Sequence, residues 1–160
     1  MRGLTAGIVA GVLALTAGAA AADHVKDGKK VHKLVLHVLS DDARSWNIAL
    51  NIINNVMSEL GKDNVNIKLV AQSTGIYPFR KGQAAAPATP PKPGDKPSVT
   101  ERLKSLKAFA GGTVEYTVCS NSMRDLKVGK DEIVDFADNI YPSVIKIVEL
   151  VEQGYVYIRP

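Results

Sequence analysis

GTVEYTVCSNSMR, residues 112–124, contains Cys119, the one cysteine among 160 residues. Val114, Tyr116 and Val118 alternate with Glu115 and Thr117, and β-branched or aromatic side chains dominate, so the stretch predicts a strand. The strand runs out at Cys119. Ser120, Asn121 and Ser122 follow, small polar residues that favour turns and helix N-caps. A thiol there stands at the end of a strand, beside backbone N–H groups and close to Arg124, and both features favour the thiolate. The opposing reading is a buried cysteine acting as a small hydrophobe.

The flanks of this strand carry their own signals. Upstream, Ser98, Val99, Thr100 and Glu101 form a capping box, opening a short helix that turns Leu103, Leu106 and Phe109 inward and ends at Gly111 and Gly112. Downstream, Lys130–Ala137 predicts a short helix, and Ile140 and Tyr141 the centre of a short strand. Ser143–Gln153 predicts a helix with Val144, Ile147, Val148 and Val151 on one face, stopped by Gly154. Tyr155–Arg159 is a last strand.

Further upstream, Lys33–Leu39 (KLVLHVL) is nearly continuous in apolar residues, which suits a central strand covered on both faces. Ser40, Asp41 and Asp42 stop it and open a helix, with acids at the positive end of the helix dipole. There Trp46, Ala49, Leu50, Ile53, Val56, Met57 and Leu60 share one face, asparagines occupy the other, and Gly61 ends the run. Val65–Ala71 (VNIKLVA) is a second strand, ending in Gln72, Ser73, Thr74 and Gly75. Strand, helix and strand in this order imply a right-handed crossover and parallel pairing. The sum is a three-layer α/β/α domain on a mainly parallel five-stranded sheet. Function in such sheets collects at the carboxyl ends of the strands. Ser40–Asp42, Gln72–Gly75 and Cys119–Ser122 therefore share a rim, and Asp41 meets Cys119 if the first and third strands are neighbours.

The two remaining stretches differ in composition. Arg2, an apolar run from Leu4 to Ala17, and Ala19–Ala22 before Asp23 have the form of a secretory signal peptide over residues 1–22. The protein is then expected to be periplasmic or secreted, one domain from Asp23 to Pro160 with no membrane segment, and with a flexible lead-in over Asp23–Lys30. Arg80–Pro97 (RKGQAAAPATPPKPGDKP) has five prolines and no periodicity, the composition of a mobile surface insertion. The net charge of +4 is spread among acids, with few aromatics beside the lysines, so no nucleic-acid surface is expected.

Other chemistries lack their residues. Neither GxxxxGK[ST] nor GxGxxG occurs, and SDDARSWN is not a phosphate loop of the flavodoxin kind. A receiver domain would match Asp41 and Asp42 but would need an aspartate where Cys119 stands. His24, His32 and His37 have no metal-ligand spacing; His37 is a satisfied core or edge histidine. No metal and no cofactor is expected.

With these residues laid out, the chain resembles the DsrE/DsrF-like family, in particular its short secreted members. The likeness runs from about Lys33 to Pro160 outside the insertion. It rests on SDDARSWNIALN, ELGKDNVNIKLVAQSTGI, TVCSNSM and PSVIKIVELVEQGYVYIRP. The resemblance implies an α/β/α fold, a homo-oligomer and a link to sulfur relay, in which a cysteine at the place of Cys119 takes sulfane sulfur as a persulfide from a donor protein and hands it to an acceptor. The chemistry suits a chain with no second cysteine to discharge the persulfide. Donors to the anionic sulfur are expected from the N–H groups of Asn121 and Ser122, the Asn121 amide and Arg124. The competing reading is a non-catalytic small-ligand or protein-binding or assembly module, with Cys119 buried and the rim holding the ligand or partner. A thiol oxidoreductase would need a partner thiol from elsewhere.

Overall fold

The computed structural model describes residues 25–26, 29–82 and 97–160. The signal peptide expected over residues 1–22 and most of the proline-rich insertion lie outside the described residues. The chain runs β1 (Val25–Lys26), β2 (Lys29–Lys30), β3 (His32–Val38), α1 (Ala43–Leu60), β4 (Val65–Ala71), α2 (Val99–Ala110), β5 (Val114–Cys119), α3 (Ser120–Asp125), β6 (Asn139–Tyr141), α4 (Ser143–Glu152) and β7 (Val156–Ile158). Five strands form one sheet in the order β6-β5-β4-β3-β7, every neighbouring pair parallel.

The order follows from crossover handedness. Moving from β3 to β4 to β5, the chain steps one way across the sheet, and α1 and α2 pack on the same face. From β6 it must return to the far edge to place β7 beside β3, so α4 lies on the opposite face. The faces differ in chemistry because alternate residues of each strand point opposite ways. Leu34, Leu36 and Val38, Ile67 and Leu69, and Val114, Tyr116 and Val118 meet Trp46, Ile53, Phe79 and Leu103 in the main core. The other face offers Val35 and Val70 to Leu150 and Tyr155 of the α4 side. It also buries His37, Lys68 and Thr117.

Helix termini match their residues. Asp42 caps α1 by accepting from Ser45 N–H at 2.8 Å, and Ser98 and Glu101 complete the capping box of α2.

Several expectations fail for stated reasons. Residues 130–137 make only a 3-10 turn, Lys130–Glu132. Beyond it Ile133 bridges Arg80 and Val134 N–H donates to Phe79 O at 2.8 Å, so this backbone bonds to its neighbour instead of to itself. The same contacts, with the Arg80–Glu132 and Lys81–Asp135 ion pairs, tie down the start of the segment expected to be mobile. Phe109 is 68 % exposed, because Leu103, Leu106 and Ala110 form the inward stripe of α2. Leu60 ends α1 in solvent. On α4 the expected face divides: Val144, Val148 and Val151 point outward, while Ile147 packs against the sheet-side cluster and Ser143 and Leu150 point to the sheet. The lead-in also carries order, since Val25 pairs with Lys30 in a small antiparallel ribbon.

Candidate functional site

The carboxyl ends of β3, β4 and β5 meet as the parallel sheet requires. Gln72 N–H donates to Val38 O at 2.9 Å and Gly75 N–H to Leu39 O at 3.3 Å, so the loop after β4 folds over the end of β3. Gly75 is there because a Cβ would stand 2.5 Å from Val38 O. Ser73 takes a left-handed backbone, φ 53°, and its N–H donates to Ser122 Oγ at 2.7 Å.

Cys119 is the last residue of β5 and precedes α3 directly. By strand alternation Cys119 follows Glu115 and Thr117, but at the end of the strand it packs with the main core, 1 % exposed. Cys119 pairs with Tyr141 of β6, so Pro142 and Ser143, which open α4, follow beside the sulfur. The first residues of two helices thus converge on one atom. Burial pushes the Cys119 thiol up, yet hydrogen bonding from the hydroxyls and backbone N–H groups of Ser122 and Ser143 outweighs it and holds the thiol below its ordinary value.

The expected partners divide. Ser122 is at the sulfur. Asn121 is exposed, and Arg124 extends into solvent, 3.8 Å from Asp125. The reason is helical: α3 turns Ser122 and Met123 inward and Asn121 and Arg124 outward. Asp41 is also separate, because β4 lies between β3 and β5 and puts their ends roughly 10 Å apart. Asp41 N–H instead meets Thr74 Oγ1 at 3.3 Å.

Ser143 replaces them, and the sequence signal for it was only a serine after a proline at a helix start. Its hydroxyl donates to Gln72 Oε1 at 2.7 Å. The same oxygen lies 2.9 Å from His37 Nε2, and His37 Nδ1 lies 2.9 Å from Tyr157 Oη. An amide oxygen only accepts, so Nε2 carries the proton, and the Tyr157 hydroxyl donates to neutral His37 at Nδ1. His37 is therefore a satisfied, buried histidine. Desolvation lowers its pKa, the Gln72 hydrogen bond opposes that, and the charge of Arg159 adds to the lowering.

Two solved structures share this architecture. A protein of unknown function, MTH1491, from Methanobacterium thermoautotrophicum has a TM-score of 0.64 and 23 % identity, with 81 % of this chain and 99 % of that one covered. The ychN protein of E. coli has a TM-score of 0.59 and 13 % identity, with 80 % and 99 % covered. No curated protein matches the sequence. The model of the DsrE/DsrF-like family matches residues 29–160, through every strand of the sheet and the rim that holds Cys119, and the chain belongs to that family.

Proposed function

We propose that this protein carries sulfane sulfur as a persulfide on Cys119, outside the cytoplasm and with its leader over residues 1–22 removed. Family membership is consistent with sulfur relay. The observation that carries the reading is the convergence of Ser122 and Ser143 on the sulfur, which keeps a buried thiol below its ordinary pKa. In the loading step the Cys119 thiolate attacks the terminal sulfur of a donor R–S–SH. A new S–S bond forms, the donor S–S bond breaks, and its electron pair leaves with R–S⁻. The products are Cys119–S–SH and R–S⁻; no external oxidant enters. A single cysteine cannot discharge this persulfide into an internal disulfide.

A second reading has its own observation. With Cys119 1 % exposed, a donor reaches the sulfur only when the rim opens, and a cysteine that never opens is core packing. The domain is then a binding or assembly module. In either case the outward valines of α4 supply the surface on which copies of the chain associate.

Incubation with polysulfide or glutathione persulfide, followed by intact-mass measurement, separates the two. The carrier gains the mass of sulfur and Cys119→Ser does not, while both stay folded. No gain, with a thiol that resists alkylation until the protein unfolds, overturns the carrier in favour of the module. Fractionation of the source cells tests the compartment: recovery of full-length chain in the cytoplasm overturns it.

A further inference from the structure

The two serines at Cys119 are not equivalent. Ser122 Oγ accepts from Ser73 N–H, which leaves its hydroxyl proton free to point at the sulfur. Ser143 has one hydroxyl proton as well, but that proton lies on Gln72 Oε1 at 2.7 Å. A serine hydroxyl cannot fully satisfy two acceptors at once, so Gln72 and Cys119 compete for it.

Gln72 is held in this competition from behind. His37 Nε2 is 2.9 Å from the same amide oxygen, and Tyr157 Oη is 2.9 Å from His37 Nδ1. The chain of contacts starts on the edge strand β7, passes through β3 and the end of β4, and finishes on the first residue of α4. His37 is 8 % exposed and Ser143 1 %, so water does not readily replace either partner. An amide oxygen with two donors cannot pass a proton onward, so this chain positions groups and does not conduct protons. Nε2–H is present in both the neutral form and the imidazolium. On protonation the change falls at Nδ1, where the Tyr157 hydroxyl turns from donor to acceptor.

We infer that Gln72, clamped by His37, is a positioning residue for sulfur loading: it competes with Cys119 for the one Ser143 hydroxyl proton, and the thiolate holds that donor in full only when the Gln72–Ser143 hydrogen bond opens. This rests on the reading of Cys119 as the persulfide carrier. The resting site is thereby kept less nucleophilic than its geometry allows. A donor or partner that draws the Gln72 amide aside activates it.

The test follows the titration of Cys119 directly. Selective ¹³Cβ labelling of cysteine gives a single signal, since the chain has one cysteine, and its shift against pH reports the thiolate without requiring access to the sulfur. Gln72→Leu releases the Ser143 hydroxyl to the sulfur, and the midpoint falls by about one pH unit. Gln72→Glu strengthens the competing acceptor and adds a negative charge, so the midpoint rises. In Gln72→Leu with Ser143→Ala, compared with Ser143→Ala alone, the fall disappears.

A role of Gln72 confined to packing would loosen the rim without moving the midpoint. An unmoved midpoint in folded Gln72→Leu, or a fall that persists without the Ser143 hydroxyl, overturns the inference. If Gln72→Leu fails to fold, Gln72→Glu decides, and an unmoved or lowered midpoint there overturns it too. Sulfur loading of the wild type is scored separately by intact mass. A moved midpoint with no sulfur gained leaves the hydrogen-bond competition standing and removes the carrier.

Discussion

The two faces of the sheet are built from the same strands and do different work. Under α1 and α2 the alternating residues are almost all aliphatic or aromatic, and Trp46, Phe79, Tyr116 and Phe136 contact one another as tilted or edge-on rings. Under α4 the same strands present His37, Lys68 and Thr117, and one ten-residue helix lies over that face. Buried polar groups survive there because they are paired: Lys68 with Glu115, and His37 with Gln72 and Tyr157. The lesson is a division of labour. One face holds the fold, and the other spends apolar area on groups that can change state.

The largest effect should come from the first face. Phe79→Ala removes the ring at its centre and is expected to lower stability by about 3–5 kcal/mol, measured by urea unfolding. Leu150→Ala, on the thinner α4 face, should cost only about 2 kcal/mol, at the low end for a buried leucine. Equal losses would break the comparison. Gly75→Ala tests the rim between the faces: its new Cβ would press on Val38 O, and a loss of roughly 1–3 kcal/mol is expected.

Acid should weaken the polar face selectively. The folded pKa of His37 lies below the ordinary 6.5, so the native state binds fewer protons than the unfolded chain. The stability gained by keeping His37 neutral is whole above that ordinary value and is lost as pH falls from it through the folded pKa. The urea midpoint of the wild type should therefore drop more steeply below pH 6.5 than that of His37→Phe. Parallel curves would show that His37 does not titrate with folding. The smallest effect on the monomer belongs to Val148→Lys, whose stability should stay within about 0.5 kcal/mol of wild type. Its sedimentation should nevertheless shift to the monomer if α4 is where copies meet; an unchanged assembly places the contact elsewhere.

Much of the architecture is legible along the chain. The apolar stripe of α1, the Ser98–Glu101 box and the alternation from Val114 to Val118 are local patterns, and local hydrogen bonding and periodicity suffice to interpret them. Local patterns fail where tertiary contacts override local preference. Residues after Glu132 pair with Phe79 and Arg80 instead of coiling. The valines of α4 share a face, as their spacing says, but spacing cannot say whether that face turns to the sheet or to solvent.

The candidate site divides in the same way. The sequence by itself determined that a lone cysteine ends a parallel strand, followed by small polar residues at a helix start. Those are consequences of chain order and side-chain type. Only the tertiary structure decided which groups surround the sulfur. Strand order moved Asp41 away, the turn of α3 sent Asn121 and Arg124 outward, and the pairing of β5 with β6 brought Ser143 in from the next helix. Gln72, His37 and Tyr157 joined it because their strands are spatial neighbours, although His37 and Tyr157 are 120 positions apart. Hydrogen bonds act over about 3 Å, and which distant residues come that close is a property of packing, which no local pattern carries.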